Sequence, residues 1–230
     1  MTRALRATAT ALLLTLTGLA FIAAPASAAA CDTRSSGTAR GGYYVTIYCS
    51  GPGFIDGYGS TLTAANTNAL LLNQLYVNYG NSCDGRSTST TTGGYAVTIH
   101  CSGGGFIVGF GSILTDAAEN ARLLADTRGR TGNTCDGRST STTTGGYAVT
   151  IHCSGGGFIV GFGSTLTDAA EEARQLVLLR AATGNTCDGR STYTVSGGYG
   201  VTLHCTSGGF VDGVGSTLTG AAVNARLAAG

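Results

Sequence analysis

Three histidines, His100, His152 and His204, recur at one interval, each directly before a cysteine. Imidazole is the side chain most readily recruited as a base or a metal ligand near neutral pH. The best catalytic arrangement on offer is Asp84, His100 and Ser102, in which the carboxylate would orient the imidazole and the imidazole would activate the hydroxyl. His100 and Ser102 share an expected strand face, but such a face supplies neither a pocket nor donors for an oxyanion. The first repeat also has Tyr48 where the others have histidine. Metal binding would require three side chains, each a whole repeat apart, to converge on one ion, which is not a zinc-like spacing. A cross-strand polar pair on a solvated face accounts for Asp84 with His100 and for the matching pairs Asp136 with His152 and Asp188 with His204. No catalytic residue, metal or other cofactor is expected.

Binding chemistry is better represented. Tyr44 and Tyr48 flank Thr46 at the positions held by Ala96 and His100 in the second repeat, and strand alternation puts both on one exposed face. Neighbouring exposed rings form a stacking platform for sugars or for a partner protein. Tyrosine also suits strands for its own sake; Tyr43 is expected in the core, and Tyr76 and Tyr79 are expected to pack against the second repeat. Arg34, Arg86, Arg138 and Arg190 each follow a Cys-Asp pair. They could read carboxylate or sugar groups, although pairing with the adjacent Asp is the simpler role. The candidate ligand-binding set is thus Tyr44, Tyr48, Arg34, Arg86, Arg138, Arg190, His100, His152 and His204.

What positions these residues is a repeat. Cys31/Cys49, Cys83/Cys101, Cys135/Cys153 and Cys187/Cys205 recur every 52 residues, each pair 18 residues apart. A period of this size means an array of small units. Arg3 and Arg6 precede an apolar run that is short for a membrane span, and Ala26-Ser27-Ala28 offers a signal-peptidase site. Residues 1–28 are therefore expected to be a secretory signal and the protein to be secreted, extracellular or bound at a cell surface without a membrane span. In that setting the eight cysteines read as four disulfides. The modules follow as residues 29–82, 83–134, 135–186 and 187–230.

Each module reads as three strands and a helix. In the second, residues 84–90, 95–101 and 106–110 carry strand patterns. Ser112 and Thr115 then offer helix N-cap oxygens, and Leu114, Ala117, Ala118, Ala121, Leu124 and Ala125 form a helical stripe. Gly80, Gly132 and Gly184 stand where a left-handed C-cap wants glycine. The fold class is α+β: a tandem array of four disulfide-stapled β-β-β-α modules, each a three-stranded antiparallel sheet packed by one helix. A three-residue loop, Thr91-Thr92-Gly93, would make partner numbers across the first hairpin sum to 184. That pairs Cys83 with Cys101, Asp84 with His100 and Arg86 with Thr98, and puts Tyr95, Val97, Ile99 and Cys101 on the core side. Val108 and Val160 stand where Asp56 and Asp212 stand in the outer modules, which favours an open line with polar ends. Alternation sets these positions beside Phe106 and Phe158, read as core, unless a bulge at the glycines turns them away.

Without Arg3 and Arg6, eleven arginines face twelve acidic residues, and the chain has no lysine. This near-neutral balance leaves no electrostatic footprint for nucleic acid. The lack of lysine fits a GC-rich bacterial genome. Residues 109–122 are similar to the third strand and last helix of a double-stranded-RNA-binding domain, where a glycine pair precedes an alanine-striped helix. Thr115 and Asp116 replace the lysines such domains aim at phosphate, so the resemblance implies only a helix folded back on a sheet. The expected function is a non-enzymatic, multivalent extracellular binding or surface-interaction protein whose partner is a cell-wall polysaccharide or a protein. The alternatives are a tandem protease inhibitor, with tips at residues 51–53 and 103–105, and a toxin or antimicrobial component.

Overall fold

A computed structural model describes residues 30–230; the expected signal sequence lies outside them. Module one comprises β1 (Cys31–Ala39), β2 (Gly42–Cys49), β3 (Gly53–Gly59) and α1 (Leu62–Tyr79). Module two comprises β4 (Cys83–Thr91), β5 (Gly94–Cys101), β6 (Gly105–Gly111) and α2 (Leu114–Thr131). Module three follows with β7 (Cys135–Thr143), β8 (Gly146–Cys153), β9 (Gly157–Gly163) and α3 (Leu166–Thr183). Module four has β10 (Cys187–Val195), β11 (Gly198–Cys205), β12 (Gly209–Gly215) and the shorter α4 (Leu218–Ala229). Each module is one antiparallel sheet in sequential strand order, and each carries its expected disulfide.

The helix lies almost on the backbone of the third strand, because small residues line both sides of the contact. A β-carbon on Gly109 would sit 2.1 Å from the Ala121 amide, and one on Gly111 would sit 2.3 Å from the Ala117 amide. Gly57, Gly161 and Gly213 meet Ala69, Ala173 and Ala225 in the same way. Val97, Ile99 and Cys101 of β5 and Ile107 of β6 complete the core below Leu114, Ala117, Ala121 and Leu124, all essentially buried. The helical stripe is as expected, and Gly80, Gly132 and Gly184 end their helices with φ of 71–75°.

The first hairpin differs from the expected register in an instructive way. The loop is two residues, Thr92 and Gly93, so Thr91 pairs with Gly94 and Thr88 with Val97. A bulge at Arg86 then shifts the ladder by one, which restores Cys83 opposite Cys101 and Asp84 opposite His100. Arg86 is the bulged residue and does not face Thr98; Ser87 does. Two departures from the three-residue loop cancel, so the Asp and His partners match expectation. Ser112 and Thr115 do not cap their own helix. Ile113 is the N-cap residue of α2 and gives no side-chain bond, whereas Thr61, Thr165 and Thr217 cap the other helices.

Adjacent modules meet along seams that repeat three times. Asp84 Oδ1 accepts from the Asp56 amide at 2.6 Å, and Asp136 and Asp188 take the Val108 and Val160 amides at 2.7 Å. An aspartate thus occupies the exposed edge of β3, β6 and β9, where an unpaired amide would otherwise invite another chain. Ser60 and Thr115 exchange hydroxyl bonds with each other's amides, as do Ser112 with Thr167 and Ser164 with Thr219. The turn glycines Gly41, Gly93 and Gly145 lie against the rings of Tyr95, Tyr147 and Tyr199 of the following modules. Tyr43, the matching ring of module one, has no such neighbour among the described residues and is exposed rather than in the core. Tyr79 packs on module two as expected, donating to Asp126 at 2.9 Å across Gly129, while Tyr76 stays on the Gly51 turn of its own module. Asp56 lies at an inner seam, not at an end of the array, and of the two outer aspartates only Asp212 stands on the far edge.

Replacing Cys83 and Cys101 together with serine should cost about 3 kcal/mol of stability from the lost loop constraint, read as a lower urea midpoint. Gly109→Ala should cost at least about 2 kcal/mol, because helix and strand backbones must separate. Amide exchange should localise the loss to module two.

Candidate binding face

With the helices on one side, strand alternation sends every second residue to the opposite, uncovered face. Val45, Ile47 and Cys49 point at the helix, so Tyr44, Thr46 and Tyr48 point away. On β6 the buried Ile107 faces Ile99 of the core, and Phe106 and Val108 therefore lie on the open face. No bulge is needed at the glycines. The expectation that Phe106 and Phe158 are core is overturned: Phe54, Phe106, Phe158 and Phe210 are 62–71% exposed.

Each of these phenylalanines has a cross-strand ring partner. Tyr48 and Phe54 stand edge to face at 5.0 Å, and His100–Phe106, His152–Phe158 and His204–Phe210 are tilted pairs at 4.9–5.0 Å. Tyr48 thus keeps the ring that histidine supplies elsewhere. The first strand extends each row with Asp32, Asp84, Asp136 or Asp188, level with Tyr48 or its histidine. The face therefore repeats a row of aspartate, Tyr or His, and Phe in every module. Three strands at about 4.8 Å set successive rows at least about 14 Å apart.

The arginines join these rows. Arg34–Asp32 lies at 3.6 Å, and Arg86–Asp84, Arg138–Asp136 and Arg190–Asp188 at 3.5 Å. The bulge at Arg86 is what brings the guanidinium back over the aspartate two residues away. The Arg34 guanidinium also stands 5.3 Å from the Tyr48 ring centre. All nine sequence candidates thus lie on the open face or at its bulges, though grouped differently than expected. Tyr44 does not stand free beside Tyr48: its ring covers Gly37, and its cross-strand partner is Tyr58. The exposed platform of module one is Tyr48 with Phe54. Sequence reasoning missed the phenylalanines, whose signal was their strict alternation with Ile55, Ile107, Ile159 and Val211.

Other chemistry finds less support in the geometry. Ser102 Oγ accepts the Ser82 amide at 3.2 Å, and Asp84 pairs with Arg86 and accepts the Asp56 amide. Among the described residues no three His, Cys, Asp or Glu side chains come together as a metal-binding group, and no helix is long and apolar enough to cross a membrane. A shallow groove of about 330 Å³ between α1 and α2 is lined by Thr61, Thr67, Asn68, Leu71 and Glu119 among others and lies on the helix side, away from the rings.

Charge accumulates at the first seam. Burial, helped by the charge of Asp56, pushes the Asp84 carboxyl above the usual range against the pull of the Asp56 amide, Arg86 and His100. Tyr58, pressed on Gly85, is pushed up to about 12 by burial and then by Asp56 and Asp84. Burial likewise raises Asp188. No family model and no curated protein matches the chain.

A carboxyl raised in the folded state binds its proton more tightly there, so ionising it costs stability as pH rises through the folded value. Asp84→Asn keeps an acceptor for the Asp56 amide and removes that cost. The variant should melt above wild type at pH 7 and converge with it as pH falls below the ordinary aspartate range, in paired thermal melts.

Proposed function

We propose that the protein is a secreted, non-enzymatic, multivalent binding protein, and that the open sheet face is its binding surface for an extracellular polysaccharide. The observation carrying this reading is the row of Tyr or His with an exposed Phe, repeated in all four modules on one face. Exposed rings stack on the apolar faces of sugars, and flanking hydroxyl, guanidinium and carboxylate groups bond sugar hydroxyls. The paired Arg and Asp side chains leave each row without net charge, which suits a neutral glycan. Rows at a fixed spacing favour a ligand that itself repeats, because linked sites raise affinity by effective concentration. The four disulfides and the signal-like N-terminus support an extracellular setting.

The inhibitor reading draws less from the geometry. The turn at residues 102–104 lies against the Arg128 guanidinium, and a β-carbon on Gly104 would come within 2.7 Å of it. This tip is a braced turn and offers no projecting anchor side chain. The toxin reading has no feature of its own beyond secretion.

Purified protein should be retained on insoluble cell-wall polysaccharide. Phe106→Ala or Phe158→Ala should each weaken retention about fivefold, the equivalent of about 1 kcal/mol per lost ring contact. Replacing all four phenylalanines should abolish retention with the melting temperature unchanged, whereas Tyr44→Ala should have little effect. Equal retention of the fourfold variant and wild type would refute the reading; retention only on a protein partner would redirect it.

A further inference from the structure

The two outer edges of the four described modules carry matching halves of a seam. At the β1 end, Asp32 occupies the position from which Asp84, Asp136 and Asp188 cap the preceding strand, and Thr63 occupies that of Thr115. Tyr43 stands exposed where Tyr95 would cover a turn glycine. Leu62 is 47% exposed, whereas its counterparts Leu114, Leu166 and Leu218 are fully buried at seams. Together with Thr33, Ser36 and Val45 it lines an open hollow of about 330 Å³. At the β12 end, Asp212 and Ser216 hold the positions of Val108 and Ser112. Space beside Gly197 is open among the described residues, and Val214 is exposed where Phe110 and Phe162 are buried. A second copy of this chain, placed end to end, would continue the internal seam.

One residue disagrees. At every internal seam the residue after Cys-Asp is glycine, and it has no room for a side chain. A β-carbon on Gly85 would lie 2.4 Å from the Asp56 carbonyl oxygen and 2.6 Å from the Tyr58 ring. On Gly137 it would lie 2.5 Å from both the Val108 carbonyl oxygen and the Phe110 ring, and on Gly189 2.5 Å from the Phe162 ring and 2.6 Å from the Val160 carbonyl oxygen. The carbonyl is backbone and cannot swing aside. Module one has Thr33 at this position, a β-branched side chain whose hydroxyl reaches Asn66 at 3.5 Å.

We propose that Thr33 is a stop residue that prevents end-to-end association of the array with further copies of itself, despite an otherwise complementary edge. An open heterologous contact between identical chains does not close, and so it propagates into filaments. The threonine denies that contact by placing a β-carbon where the neighbouring strand's carbonyl must sit. It denies the β1 edge to a second copy while the Thr33 hydroxyl keeps its contact with Asn66 of its own module.

The test is Thr33→Gly in the purified protein, followed by sedimentation and light scattering over about a 100-fold concentration range. Wild type should stay at the mass of one chain. Thr33→Gly should show mass rising with concentration, more steeply when Val214→Phe restores the missing ring and less steeply when Asp32→Ala removes the cap on the Asp212 amide. Gly137→Thr should strip amide-exchange protection from the seam between modules two and three. A Thr33→Gly, Val214→Phe protein that keeps its melting temperature and remains a single chain throughout would overturn the proposal. So would a Gly137→Thr protein with an intact seam, or a wild type that already assembles through these ends.

Discussion

The structure depends on how close a helix can come to a strand. Gly57, Gly109, Gly161 and Gly213 have no side chain, and the alanines facing them have little, so helix and strand touch nearly backbone to backbone. That contact makes each core thin, and a thin core is cheap to fill with a few Ile, Val and Leu side chains. It is also unforgiving, since interiors packed to crystal density cannot absorb an extra carbon at such a point. A unit this small buries too little apolar surface to be secure alone. The disulfide across the first hairpin and the neighbouring module supply what is missing.

The same thinness determines what the open face can do. With all helices on one side, the other side of each sheet is covered only where the next module's first strand meets Tyr58, Phe110 or Phe162, and the rings away from that seam stand up from it. Phe106 and His100 are held by the strands beneath, Arg86 by its bulge, and Asp84 by the Asp56 amide. Ring spacing along the array is therefore tied to the seams. Burial at the seams pushes the Asp84 carboxyl and the Tyr58 phenol toward their neutral forms, and at the first seam the charge of Asp56 adds to it.

Much of this was legible in the residues, and the failures have physical causes. Cysteine spacing, the alanine stripe and the C-cap glycines are local signals, and each led to the correct element. Asp84 and His100 were paired correctly from a wrong loop, since the Arg86 bulge offsets the shorter turn and neither leaves a local mark on the other. Phe106 was misread because hydrophobicity outweighed phase: Ile107 had already taken the core position. Ser112 and Thr115 looked like caps because a hydroxyl near a helix start usually is one, while here their hydroxyls accept from the Thr167 and Ser60 amides of adjacent modules. Contacts between repeats cannot be read from one repeat, which is also why Tyr43 seemed internal.

The aspartate, serine and threonine bonds of each seam recur one module away with the same donor and acceptor types. A gene segment encoding one internal module could be duplicated or lost in frame, and each remaining junction would still find its aspartate, its serine and threonine, and its glycine. Such a molecule can change length without redesigning any interface. It is a ruler whose graduations natural selection can add one at a time, with the reach of its ringed face growing in step.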